Sequence, residues 1–165
     1  LCHNGIGDEG VQHLTTALGA QEGQGYAVST RTTTILPRLQ ELSLSFNFLS
    51  IKSAKALAKA LATNTTLKRL FLHGNMIDRR GAMPFCQVLQ TANQSLLQLT
   101  ILDPSYENHL VQEKLDLYLG ANASGRRHWG DLSIPLTAWT RKLSEMTPDF
   151  LFGFLNSRPD IAASC

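Results

Sequence analysis

Three sets of residues in this chain have side chains of the types that do chemistry. "NASGRRHWGD" (residues 122–131) gathers Arg126, Arg127, His128 and Trp129 behind Gly125, a composition that suits an anion-binding loop. Ser45, His73 and Glu41 supply the nucleophile, base and carboxylate of a hydrolytic triad. Arg79 and Arg80 stand beside Asp78, and an arginine so placed is the raw material of a GTPase-activating finger. Metal chemistry has less to draw on. His3, His13, His73, His109 and His128 make no HExxH or other close ligand set, and Cys2, Cys86 and Cys165 are widely spaced without a CxxC pair. Neither a zinc site nor a disulfide framework is expected, no cofactor is implied, and a reduced intracellular setting follows.

Whether any of these sets works depends on the elements that hold them. The 165 residues suit one ordinary domain, and a hydrophobic content of 43% is globular. Lys+Arg of 15 against Asp+Glu of 13 leaves a net charge of +2, too little for a nucleic-acid or anionic-membrane footprint. The apolar runs are far shorter than a membrane span.

An internal repeat organises the first two thirds. Residues 39–61, "LQELSLSFNFLSIKSAKALAKAL", align with residues 67–89, "LKRLFLHGNMIDRRGAMPFCQVL", at a shift of 28. Leu39/Leu67, Leu42/Leu70, Leu44/Leu72 and Asn47/Asn75 coincide. Beyond each Asn, Leu49/Ile77, Leu57/Phe85 and Leu61/Leu89 repeat. The opening "LCHNGIGDEGVQHLTTAL" fits the same ruler through Asn4, Ile6, Gly10, Leu14 and Leu18, with Leu1 in the slot of Leu44. A fading unit opens at "LLQLTIL", where Leu96, Leu99 and Ile101 take the strand slots and Pro104 replaces the Asn. The L-x-x-L-x-L alternation predicts a short strand with its leucines inward. The Asn is expected to satisfy backbone groups where the chain leaves the strand. Ser50 and Asp78 then fall at helix N-caps, and the apolar residues four apart share one helix face.

These residues resemble the leucine-rich repeats of the ribonuclease-inhibitor-like class, and "NGIGDEG" looks like that class's N-x-I-x-x-x-G segment. The resemblance covers residues 1–18 and 39–102. It implies an α/β fold: a short leucine-rich-repeat solenoid with parallel strands on a concave face and helices on a convex face, over residues 1–104. Repeats begin at 39, 67 and 96 after a partial first one, with an insertion at about 19–38. That insertion, rich in Gly, Ser, Thr and Gln, reads as a mobile loop: a plain insertion, a gene-model error, or a partner-specific finger around Tyr26. It contains no G-K-[ST] phosphate loop.

The resemblance places partner binding on the concave face. The outward positions are Glu41, Ser43 and Ser45, then Arg69, Phe71 and His73, then Gln98, Thr100 and Leu102, with Cys2 in the row of Ser45 and His73. Phe71 beside Arg69 and His73 has the make-up of an interface anchor, or simply covers its neighbours. A triad on such a flat sheet lacks a strained nucleophile turn and oxyanion donors, so no enzyme is expected. The sequons at Asn64, Asn93 and Asn122 invite glycosylation, but Asn64 and Asn93 fall one repeat apart, where helix C-caps belong. The expected location is therefore cytoplasmic or nuclear rather than secreted.

After residue 104 the ruler fails. "NHLVQEKLDLYLGAN" reads as a helix with Leu110, Leu117 and Tyr118 on its apolar side and Gly120 and Asn122 as its stop. "IPLTAWTRKLSEM" carries Ile134, Trp139, Leu143 and Met146 at helical spacing. "TPDFLFGFLNSRPD" starts at Thr147-Pro148, buries Phe150, Leu151, Phe154 and Leu155, and ends at Arg158-Pro159. Residues 105–165 are read as a helical cap that closes the open end of the solenoid; a membrane-surface helix lacks the basic face it needs. This tail resembles the C-terminal segment of uncharacterised leucine-rich-repeat proteins of diatom-type microalgae. Asn122, Gly125 and Arg126; Pro135, Trp139 and Leu143; and Asp149, Leu151, Phe152, Phe154, Leu155, Arg158 and Pro159 carry that likeness. The functional expectation is a protein–protein interaction module with another protein as its partner; nucleic acid, membrane and small-molecule substrate are not expected. The same repeat class includes Ran-type GTPase activators and innate-immune-type sensors, and both stand as alternatives. "NASGRRHWGD" then becomes the handover from repeat to cap.

Overall fold

Leucines at alternate positions pull one face of each short strand inward, and the structure shows three such strands. It is a computed structural model, and it describes residues 1–19, 39–102, 108–129 and 148–157. The strands β1 (Glu41–Ser43), β2 (Arg69–Phe71) and β3 (Gln98–Thr100) lie parallel in the order β1-β2-β3. Register follows the repeat: Glu41, Arg69 and Gln98 align, as do Leu42, Leu70 and Leu99, and Ser43, Phe71 and Thr100. Parallel pairing requires a crossover, and helices supply it. In chain order the helices are α1 (Gly7–Gly19), α2 (Ile51–Leu61), α3 (Arg79–Thr91), α4 (His109–Ala123) and α5 (Pro148–Ser157).

Burial reproduces the ruler. Val11 and Leu18 of α1, Ala54, Leu57 and Leu61 of α2, and Ala82, Phe85 and Leu89 of α3 are buried at matching positions, with Leu14 packed against them. The spacings of three, four and seven put each set on one stripe, and α1 packs on α2 as α2 packs on α3. Leu44, Leu67, Leu70, Leu72 and Leu96 are fully buried beneath the strands. At the edge of the sheet the pattern loosens: Leu1 and Leu39 are exposed. Gly81 is required by packing, since a Cβ there would lie 2.7 Å from Ile77 Cγ2.

Hydrogen bonds tie each unit to the one before it at both ends of the strands. Asn47 Oδ1 accepts from the N–H groups of Asn4 and Ile6, and its Nδ2 donates to the carbonyls of Leu1 and Ser45. Asn75 repeats the arrangement one unit on, with Asn47 and Leu49 as donors and Leu44 and Leu72 as acceptors. At the other end, Asn64 Oδ1 accepts from Thr66 and Leu67, and Asn93 Oδ1 from Ser95 and Leu96. Their amides reach back to Leu18 O, and to Leu61 O and Asn64 O. The expected C-cap role is thus displaced. Ala62 and Ala92 are the C-caps, and the asparagines, just beyond them, turn the chain and clamp it to the neighbouring unit.

Both expected N-caps are present. Ser50 Oγ accepts from Lys52 N, and Asp78 Oδ1 from Arg80 N and Gly81 N. The start of α2 carries a further clamp: Asp8 accepts from Ser50 N at 3.0 Å and Ser50 Oγ at 2.6 Å, and from Ser53 Oγ. Those serine hydroxyls hold the Asp8 carboxyl below the ordinary aspartate range.

The chain forms two compact units, Leu1–Leu119 and Gly120–Cys165, so the first runs past the 104/105 boundary drawn from the repeat. In α4 the buried stripe is Val111, Leu115 and Leu119. Leu110, expected on the apolar side, is 71% exposed, because the stripe is phased one residue later. Nor do Gly120 and Asn122 stop α4: both lie inside it, and the left-handed residue that ends the run is Gly125, at φ 87°. In the second unit a 3-10 turn, Arg126–His128, leads to buried Trp129, whose ring meets that of Phe154 edge-on at 6.0 Å. α5 begins at Pro148 as expected and buries Phe154, while Leu151 is 36% exposed and half-buried Leu155 flanks it. The insertion at 20–38, the helix expected around Trp139 and Cys165 lie outside the described residues.

Candidate partner-binding face

The three strands bring together most of the outward residues expected from the repeat. In the first row Glu41, Arg69 and Gln98 are exposed, and Arg69 Nε donates to Glu41 Oε2 at 2.6 Å. Both side chains are about half exposed (49% and 50%), so solvent screens the pair and its worth is small. Its effect is local: the two charges offset each other along the row. The second row, Ser43, Phe71 and Thr100, is half-buried, so Phe71 is only partly open to a partner.

The third row departs from expectation. Ser45 is 1% exposed and Leu102 is 8% exposed, so neither lines an open face. The cause is the end of the pleat. Strict alternation of faces lasts only while the chain stays extended, and the strands end at Ser43, Phe71 and Thr100. Beyond that point Ile101 and Leu102 are buried in succession, and Ser45 turns under its neighbours. His73 remains half-buried at the surface, and its Nδ1 meets Ser45 Oγ at 2.9 Å. Cys2 keeps the row of Ser45 in its backbone, where His3 N donates to Ser45 O as Phe46 N does to His73 O, while its Sγ reaches across to Ser43 Oγ at 2.8 Å.

The triad is therefore two-thirds assembled. Ser45 and His73 are paired, but Ser45 is sealed from solvent, and Glu41 is engaged by Arg69 two rows away. Elsewhere, Arg80 Nε is tied to Asp78 Oδ2 at 2.9 Å, with Arg79 exposed beside it. That guanidinium bond is the main cause of the low Asp78 carboxyl pKa. Cys86 is buried, and burial pushes its thiol pKa up, away from reactivity. Among the described residues no cluster of His, Cys, Asp or Glu is arranged to hold a metal ion.

A feature not foreseen from the sequence lies just past the strands. The residues on either side of each repeat Asn form two rows: His3, Phe46 and Gly74 before it, and Gly5, Phe48 and Met76 after it. His3, Phe46, Phe48, Gly5 and Gly74 all have positive φ, between 55° and 68°. Glycine adopts this conformation freely, whereas a bulky L-residue pays roughly 1–2 kcal/mol. Phe46 nevertheless stands there, stacked on His3 at 4.5 Å and 10°, edge-on to His73 at 5.1 Å, with its ring against Gly74. Phe48 and Met76 are 70% and 63% exposed, and Phe46 is 44% exposed. The available signal was "SFNFL": large apolar residues directly flanking the Asn, where the repeat needs none.

A family model described as a leucine-rich repeat matches residues 1–14. Among solved structures, the fold is similar to that of leiomodin-1 actin-binding site 2, at a TM-score of 0.53 and 19% sequence identity. That alignment covers 73% of this chain, which spans 62% of the length of its neighbour. Repeat motif, parallel strands and shared fold together support a leucine-rich-repeat protein.

Proposed function

We propose that this chain is a protein-interaction module, built as a short α/β solenoid of the ribonuclease-inhibitor-like type and carrying a helical tail whose likeness to microalgal repeat proteins fits that role. In this reading a protein partner lies on the strand face, against Glu41, Ser43, Arg69, Phe71, Gln98 and Thr100, and is gripped at the edge by Phe46, Phe48, Met76 and His73. The observation that carries it is the aromatic rim. Phe46 and Phe48 occupy left-handed positions that are each glycine in one sister unit (Gly74 and Gly5), and they remain exposed. Strain and exposure both cost stability, and such costs concentrate at functional surfaces. The similar leiomodin-1 structure, named as an actin-binding site, supports a protein partner and makes purified actin a reasonable first probe.

We assign the module no enzymatic step, since Ser45 is sealed and Glu41 is engaged by Arg69. A cytoplasmic or nuclear location stays part of this reading, and two of the sequons do not call for secretion: Asn93 is 2% exposed with its amide donating to two carbonyls, and Asn122 is 5% exposed. Affinity capture from source cells, comparing the native chain with an Arg69→Ala/Phe71→Ala double variant, tests the proposal. Loss of one set of captured proteins in the variant is expected. Identical proteins in equal yield from both baits would sink the strand-face assignment.

A further inference from the structure

The helical layer holds a cavity that the strand face does not share. It has a volume of about 380 Å³ and is bounded by α3 and α4. That size falls within the roughly 300–1,000 Å³ of ordinary ligand sites.

Its chemistry is two-sided. Met83 and Pro84 of α3 give it apolar lining, and Arg80, Gln87, Lys114 and Tyr118 give it polar lining. Among the described residues lining it there are two cations and no carboxylate. Arg80 Nε is bonded to Asp78 Oδ2 at 2.9 Å, so Arg80 comes to the groove with its charge partly offset and Lys114 supplies the larger share. Lys114 of α4 lines the groove together with buried Cys86 of α3. Pro84 adds a second observation. A proline inside a helix has no N–H to give and costs roughly 3 kcal/mol, yet it lies within α3 and is half-buried on this wall.

We propose that this groove binds a carboxylate carried on a short apolar body, with the anion between Arg80 and Lys114 and the body on Met83 and Pro84. A guanidinium matches a carboxylate in bidentate fashion, and charge-assisted bonds are about twice as strong as neutral ones. Such a ligand arises from two sources, a free organic acid or the C-terminal residue of a peptide. The inference does not depend on the strand-face reading, since the two surfaces share no residue.

Titration of the full chain, followed by amide NMR shifts, tests it with 3-phenylpropionate and its neutral isostere 3-phenylpropionamide. The acid is expected to shift residues of α3 and α4 saturably, with a roughly millimolar dissociation constant, and to bind at least fivefold more tightly than the amide. Lys114→Gln, at an exposed position, keeps the native urea midpoint and removes that preference. Equal affinity for acid and amide, or a preference that survives Lys114→Gln, overturns the proposal. N-acetyl-glycyl-phenylalanine forms a second arm: either order of affinity supports the groove, and the order identifies the source.

Discussion

Replacing Asn47 by alanine tests whether the repeat asparagine holds adjoining units together. Its carboxamide makes four bonds: it accepts from Asn4 N at 2.9 Å and Ile6 N at 3.3 Å, and donates to Leu1 O at 2.7 Å and Ser45 O at 3.1 Å. The residue is 0% exposed, so water does not readily replace it. A neutral hydrogen bond is worth about 1 kcal/mol net, and a buried group left unpaired costs about 1–3 kcal/mol. Ser45 is buried and Ile6 half-buried, whereas Leu1 and Asn4 are exposed and rehydrate. The loss is then about 3–4 kcal/mol, a large share of the 5–15 kcal/mol typical of a domain. Asn4 is the internal control. It holds the same place in the repeat, is exposed, and its amide donates to Cys2 O; Asn4→Ala should cost under about 1 kcal/mol. In urea unfolding with m near 2 kcal/mol/M, Asn47→Ala should lower the midpoint by about 1.5–2 M, and Asn4→Ala by less than about 0.5 M. Equal shifts for the two variants, or a loss under about 1 kcal/mol for Asn47→Ala, would refute the reasoning.

Further expectations concern the rim and the Asp8 clamp. Gly74→Ala forces a Cβ to 2.3 Å from the Phe46 ring at φ 68°, and should cost about 1–3 kcal/mol by urea unfolding; a neutral result would mean that Phe46 swings away freely. Phe48→Gly should leave stability unchanged or raise it by up to about 1 kcal/mol, since it relieves a left-handed conformation at some entropy cost. It should nonetheless weaken partner capture, and undiminished capture would remove Phe48 from the interface. The Asp8 carboxyl has its folded pKa depressed by Ser50 and Ser53, so its stabilisation is complete above the unfolded aspartate pKa and is lost as pH falls through the folded one. Asp8→Asn should therefore flatten the stability-versus-pH curve between about pH 5 and pH 2; parallel curves for variant and native chain would show that the clamp is not coupled to folding.

Much of the framework was legible because the repeat states it several times. Asn47 and Asn75, the leucines beneath the strands and the caps Ser50 and Asp78 each follow from a local rule, and sister positions confirm one another. Phase and conformation were harder. In α4 both Leu110 and Val111 are apolar, so spacing alone does not say which faces inward. Ser45 and Leu102 fall on the outward face only if period-2 alternation is extended past the residue where each strand stops. The rim escaped for a different reason: patterns of apolar residues are read as core, so Phe46 and Phe48 carry no signal of exposure until their left-handed backbone is seen. The Asp8 clamp joins groups 42 and 45 residues apart and has no sequence signature at all.

The central claim is that a protein partner occupies the strand face and its aromatic rim. Hydrogen exchange on the chain, free and bound to the protein recovered by capture, addresses it directly. The account predicts that protection gained on binding concentrates in residues 41–48 and 69–76. Protection confined to α2 and α3, with the rim exchanging as in the free chain, would contradict it.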